Sequence, residues 1–331
     1  ADLDDDGWVD IFQTNDSSPN FLFRNLGDGR FRDVALEAEV AYSPSGQVTG
    51  AMATDAEDVD GDGRLDLIVT NFNNQGTFLQ LNQGDMRFRD RGHRLGLSMP
   101  TFAVSSFGAR FLDYDNDGLV DLFVSNYLEF DPDAEGTYPC RMIDEHPFCS
   151  IDKFRGQPSV LFRNRGDGTF EDTSGPSGIA ALTGKGMGVV AADLDDDGWV
   201  DVFQTNDSHP NFLFHNVGDG RLRDVALEAE VANSPSGQVT GAMATDAEDV
   251  DGDGRLDLIV TNFNNQGTFL QVNQGGMRFR DRGHRLGLSM PTFNVSSFGA
   301  RFLDYDNDGL VDLFVAAGHP FAPVAKVWPH I

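Results

Sequence analysis

The pattern Asp-x-Asp-x-Asp-Gly-x-x-Asp occurs six times in 331 residues, beginning at Asp2, Asp58, Asp113, Asp193, Asp249 and Asp304. The acids fall in six sets: Asp2, Asp4, Asp6 and Asp10; Asp58, Asp60, Asp62 and Asp66; Asp113, Asp115, Asp117 and Asp121; Asp193, Asp195, Asp197 and Asp201; Asp249, Asp251, Asp253 and Asp257; and Asp304, Asp306, Asp308 and Asp312. In a tight loop, acids at alternate positions turn inward together. In the second copy Gly63 lets the chain reverse, the Arg64 carbonyl faces the same centre, and Asp66 closes the cage from the head of the next strand. The product is an all-oxygen pocket of hard ligands, which suits Ca²⁺ better than softer metals or the strict octahedron of Mg²⁺. Two carboxylates ~5 Å apart repel by ~1 kcal/mol in water and ~3 kcal/mol at an effective dielectric of ~20, so an empty cage is expected to be strained or open. Up to six Ca²⁺ are expected.

The rival readings are a solvated acidic turn and an EF-hand. A solvated acidic turn does not require one spacing and one obligatory Gly in every copy. An EF-hand requires Glu at its twelfth position, where this chain has Gln13, Val69, Val124, Gln204, Val260 and Val315, and it requires flanking helices where this chain reads as strands.

Elements that position such loops repeat with them. Motif starts lie 55 or 56 residues apart except for one gap of 80. Residues 1–125 align with 192–316 at a constant offset of 191 with ten differences, Arg24/His215 among them, and no motif Asp changes. That pattern fits a tandem duplication or an assembly artefact. Before each motif lies a segment such as "SSFGARFLD", and after it "VDLFVSN", "LDLIVTN" or "VDIFQTN", dense in Val, Ile, Leu and Phe. A third segment, "NFLFRN" or "TFLQLN", follows, and a turn such as Gly27-Asp28-Gly29 leads into a fourth, "RFRDVA". The unit reads as a four-stranded antiparallel meander, and tandem meanders of this size make an all-β fold, a β-propeller, with a sandwich pair as the alternative. The first unit lacks its opening strand and the last ends soon after its second. Residues 1–331 are expected to form a single domain, and because Ala1 already lies inside a motif, the chain is expected to be a fragment or a processed product.

The composition limits partners. Fifty-three acidic against 24 basic residues give a formal charge of −29, a field that repels phosphate backbones and anionic lipid. Nucleic acid is not an expected partner. No apolar run approaches the roughly 18 residues of a membrane span.

The motif after Phe107-Gly108-Ala109-Arg110 or Phe298-Gly299-Ala300-Arg301, followed by Asn-x-Gly-Asp-Gly-x-Phe-x-Asp as in Asn164 to Asp172, resembles the FG-GAP/VCBS repeat of integrin alpha-subunit and lectin propellers. More narrowly, "SNYLEFDP", "LFRNRGDGTFEDTS", "GKGMGVVAADLDDDGWVDVF" and "FLDYDNDGLVDLFVAAGHP" are similar to the bacterial cartilage acidic protein family, whose members often carry an ASPIC/UnbV domain after the propeller. The resemblance implies calcium ligands at the first, third, fifth and ninth motif positions, with the seventh, here Trp8, Arg64, Leu119, Trp199, Arg255 and Leu310, giving its carbonyl. It also implies seven blades, where six motifs occur here.

The long gap holds an insertion placed at about 126–157, which contains Cys140 and Cys149, the only two cysteines. A disulfide between them suits an oxidising compartment, and free buried thiols are the alternative. A zinc site of Cys140, His146 and Cys149 lacks a fourth ligand. There is no Gly-x-Ser-x-Gly, no His-Glu-x-x-His and no phosphate-cradling loop with Lys, and His93, His284 and His319 read as loop-packing residues. Trp8 and Trp199 are expected to cover a neighbouring blade, with sugar stacking as the alternative. The function expected is an extracellular or periplasmic, calcium-binding, non-catalytic module that recognises protein or glycan. The alternatives are a carbohydrate-active enzyme or lyase with a central-channel pocket, and a structural calcium-dependent spacer.

Overall fold

The computed structural model describes residues 1–130, 140–143, 146–149, 151, 154–306 and 308–318, with 140–143 and 146–149 described by their backbone alone. The fold is all-β and consists of four-stranded antiparallel sheets, the blades of a β-propeller. Strand Ala51–Glu57 pairs with Asp66–Asn71, then Phe78–Asn82, then Phe88–Asp90, each antiparallel to the last. Residues 106–172, 186–224 and 242–281 each form a sheet of the same order. The first sheet has three strands, from Ile11–Gln13 to Phe31–Asp33, and the last has two, Ser296–Leu303 and Asp312–Gly318, as the unit boundaries in the sequence require.

The second strand of each complete sheet is its spine. Asp66–Asn71, Asp121–Asn126, Asp201–Asn206 and Asp257–Asn262 are buried at every residue, which is why they read as continuous apolar runs rather than as alternation. The third sheet is completed by Val160–Asn164 and Phe170–Asp172, so the insertion falls between its second and third strands, where the long gap places it. Within that insertion Cys140–Ile143 pairs with His146–Cys149, and Cys140 stands opposite Cys149. The side chains of Cys140, His146 and Cys149, and residue His319, lie outside the described residues.

Two compact units divide the chain: Ala1–Tyr127 with Pro158–Leu182, and Leu128–Gln157 with Thr183–Ile331. In the first unit, adjacent sheets close on one another through two apolar clusters. One joins Leu3 and Leu22 to Leu67 and Phe88, the other Ile68 and Leu79 to Leu122 and Phe162. Equivalent clusters in the second unit join Leu213 to Leu258 and Ile259 to Leu313. The Phe-Gly-Ala-Arg segment stitches sheets as well: Arg110 donates to Asp55 at 3.0 Å and Arg301 to Asp246 at 3.1 Å, each acid lying on the opening strand of the sheet before.

Candidate metal centres

Each acidic loop joins the first and second strands of its sheet and folds around its first acid. Asp58 accepts backbone N–H groups from Gly61, Asp62 and Gly63 at 2.8–3.1 Å. Asp113 accepts from Asp117 and Gly118, Asp193 from Asp197 and Gly198, and Asp2, Asp249 and Asp304 repeat the pattern. The obligatory Gly sits at positive φ, +88° at Gly63, where a side chain would be strained. Position four of the motif carries the same demand: Asp5, Asn116 and Asp196 have φ of 54–63°. In all six copies that position is Asp, Asn or Gly, the residues that visit left-handed backbone most readily. The fifth acid then accepts the N–H of the seventh residue, as from Arg64 to Asp62 at 3.0 Å, Trp8 to Asp6, Leu119 to Asp117, Trp199 to Asp197, Arg255 to Asp253 and Leu310 to Asp308.

The ninth acid is held differently. Asp66 is 1% exposed, and its two oxygens accept the N–H groups of Val59 at 3.1 Å and Asn82 at 2.8 Å. Asp10, Asp121, Asp201 and Asp257 make the same pair of bonds, and Asp312 accepts from Tyr305. Burial pushes Asp66, Asp121 and Asp201 up to about 7 and Asp257 to about 6, partly offset by those N–H donors and reinforced by neighbouring acids. Desolvation and then crowding by the fifth acid also raise Asp60, Asp115 and Asp195. Burial outweighs the nearby Arg64, Arg163 and His215, which pull the other way, and a further positive charge would favour ionisation.

The carboxylates converge. Single ligand atoms from Asp2, Asp4 and Asp6, from Asp58, Asp60 and Asp62, from Asp113, Asp115 and Asp121, and from Asp193, Asp195 and Asp201 each lie within 4.8 Å of one another. The decisive atoms are the Oδ1 oxygens of Asp4, Asp115 and Asp195, which are buried without a hydrogen-bond partner. An orphaned carboxylate oxygen facing other carboxylates is costly in a packed site and fits a hard divalent cation. The residues present therefore fit Ca²⁺.

Two features of these loops were missed in the sequence. Asn25, Asn82, Asn164, Asn216 and Asn273 end the third strands and brace the cages from behind. Asn273 donates through Nδ2 to the Leu194 and Leu256 carbonyls at 2.8 and 3.1 Å and accepts from Gly275 N–H at 2.9 Å, tying the fifth loop to the fourth. Asn82 and Asn164 likewise reach Leu3 and Val59 of the preceding loops. Their fixed place after each third apolar segment was the available signal.

The second feature is one basic side chain at each loop whose sheet has a third strand. Arg24 contacts Asp4 at 2.6 Å and Asp6 at 3.3 Å, and Arg163 contacts Asp115 and Asp117 at 2.6 and 2.8 Å. Where that strand position is Leu81 or Val272, the basic group comes instead from motif position seven, Arg64 on Asp62 and Arg255 on Asp253. His215 takes the role in the fourth loop. Trp8 and Trp199, at position seven where the strand supplies the base, rest on Gly27 and Gly218 of their own sheets, and Trp8 stays 51% exposed. They stack on their own hairpin turns, whose glycines leave room for the rings.

A chain of tandem antiparallel sheets, each opening on an acidic cage, belongs to the class of repeat-built propellers. Residues 2–69, 58–124, 152–204, 193–260 and 249–315 match the FG-GAP-like repeat, and the chain belongs to that family. It is 27% identical over 332 residues to cartilage acidic protein 1 of Mus musculus, with 95% of this chain and 47% of that protein covered. The same protein of Homo sapiens gives 27% identity with 95% and 46% covered, so the chain spans about half the length of the curated relatives it matches. A solved lectin of Agrocybe aegerita that recognises non-reducing terminal N-acetylglucosamine aligns at a TM-score of 0.54 and 18% identity, covering 95% of this chain and 73% of the lectin. At that identity the likeness shows the fold alone. The resemblance read from the sequence to FG-GAP repeats and to cartilage acidic proteins is borne out.

Proposed function

We propose that this chain is an extracellular, calcium-loaded propeller that recognises a protein or glycan and performs no catalysis. The observation that carries the calcium reading is the orphaned Oδ1 of Asp4, Asp115 and Asp195, each set among further carboxylates of its own loop. In each oxygen-only site the first, third, fifth and ninth acids would hold the ion with the carbonyl of the seventh residue, and the ion would cancel the repulsion that otherwise strains the loop. The third acid's Oδ2 in the first and third loops is already taken by Arg24 or Arg163, which leaves Oδ1 for the metal. Extracellular calcium modules bind at about 10⁻⁴ to 10⁻³ M, which suits a secreted location. An oxidising location also suits a bridge between Cys140 and Cys149, whose strands set them opposite each other.

Recognition without chemistry is supported by a cleft of about 280 Å³ lined by Ser43, Gln47, Thr49, Asn74, Gln75 and Phe78. Hydroxyls, amides and one aromatic face are the groups that bind sugars or peptide backbone, and no titratable side chain lines it. Among the described residues no helix is long and apolar enough to cross a membrane. Elemental analysis after equilibration in millimolar calcium is expected to find several bound ions per chain, and a glycan array is expected to show binding that EDTA abolishes. Vacant loops at that concentration would overturn the reading.

A further inference from the structure

The five sheets that carry the repeat's third strand do not present the same chemistry to their acidic loops. Four close the cage with a guanidinium, Arg24, Arg64, Arg163 or Arg255, which has no lone pair and cannot ligate a metal. The fourth alone presents an imidazole. His215 occupies the position that Arg24 holds 191 residues earlier, and the motif acids of the two loops are the same. Its Nε2 lies 3.2 Å from Asp195 Oδ2 and 3.7 Å from Asp197 Oδ2, with the ring 20% exposed. His215 Nε2 is buried and hydrogen-bonded to neither acid, and the other oxygen of Asp195, Oδ1, is also buried without a hydrogen-bond partner. Ligand atoms of Asp195, Asp197 and His215 fall within 4.8 Å of one another.

We infer that the fourth loop is a mixed nitrogen and oxygen site that selects a first-row transition divalent cation over calcium, with His215 Nε2 as its nitrogen ligand. The inference rests on reading the loops as cation sites and makes one of them different in kind. Zinc-class ions bind imidazole nitrogen and carboxylate oxygen at about 2.0–2.2 Å, so ligand atoms sharing one ion lie about 3–3.5 Å apart, close to the spacing around His215. Calcium draws little from an imidazole, whereas affinity for nitrogen-containing sites rises along Mn²⁺, Co²⁺ and Ni²⁺ toward Cu²⁺. Asp193, Asp195, Asp197 and Asp201 would complete the shell with hard oxygens. A single difference between the matching loops, Arg24 against His215, thus separates an oxygen-only cage from a borderline one.

The test uses Co²⁺ as the probe on the full chain, with wild type, His215→Arg, His215→Gln and Arg24→His compared. His215→Arg restores the residue of the first copy, so the fold has already accepted it. After loading and dialysis against millimolar Ca²⁺, wild type is expected to retain one equivalent of Co²⁺ and to show the visible absorption of a nitrogen-ligated ion. Both His215 variants are expected to bind Co²⁺ at least ~10-fold more weakly, since losing a ligand costs no less than losing a second-shell partner, and Arg24→His to gain a second equivalent. Equal Co²⁺ retention in wild type and both His215 variants would overturn the inference. Calcium bound with no Co²⁺ retained would also overturn it while leaving the calcium reading intact. One Co²⁺ that depends on His215, in a protein that binds no calcium, would support the inference and overturn the calcium reading instead.

Discussion

At the scale of single residues, the acidic motif separates into parts that look alike in sequence and act differently. The first acid organises backbone, the third presents a bare oxygen in the first, third and fourth loops, and the ninth, as at Asp66, is buried on two N–H donors. Removal of a third acid should therefore cost an ion and leave the loop's backbone bonds in place. Asp115→Ala is expected to bind one ion fewer than wild type by elemental analysis. Asp5 has no ligand position, but its φ of 58° makes alanine strained by roughly 1 kcal/mol, so Asp5→Asn is the variant expected to keep every ion and the wild-type melting temperature.

A loop together with its two strands is the next scale, and here charge couples to pH. Without an ion, the folded protein holds protons on Asp66, Asp121 and Asp201 up to about pH 7, whereas the unfolded chain releases them near 3.8. The folded state thus binds more protons between these values, and stability falls as pH rises through that window. In EDTA the melting temperature is expected to drop between pH 5 and 7.5. Millimolar calcium should reverse the slope, because an ion binds the ionised form; a calorimetric scan with the same slope in both buffers would contradict this account. The bracing Asn gives a second expectation. Asn273→Ala strands the Leu194 and Leu256 carbonyls and the Gly275 N–H in a buried site, a loss on the order of 3 kcal/mol in urea unfolding.

Over the whole molecule, near-identical sequence acquires unequal burial. Phe123 and Phe314 sit at matching places in the two copies, yet Phe123 is fully buried and Phe314 is 62% exposed. Ile11 is 48% exposed where its counterpart Val202 is buried. The difference is positional: Phe314 lies in a two-stranded sheet and Ile11 in a three-stranded one, whereas Phe123 and Val202 are on the central strands of complete sheets. Phe123→Ala is expected to cost ~3–5 kcal/mol and Phe314→Ala under ~1 kcal/mol, read as the difference in urea midpoints.

The acidic periodicity, its intervening apolar runs and the glycine turns were enough to specify tandem four-stranded meanders and the loops where acids crowd, because those features are local: a nine-residue loop needs only its own acids and its own reversal. The braces and counter-charges were not legible in that way. Asn82 reaches back to Leu3, and Arg163 reaches Asp115 across the insertion, contacts that sequence distance conceals. Which oxygen remains without a partner, which acid is desolvated, and which of two matching phenylalanines is core are fixed only once sheets stack, since each depends on what a neighbouring strand brings against it. The sequence dictated where charge would be crowded; the packing decided which of those charges is left for a metal to meet.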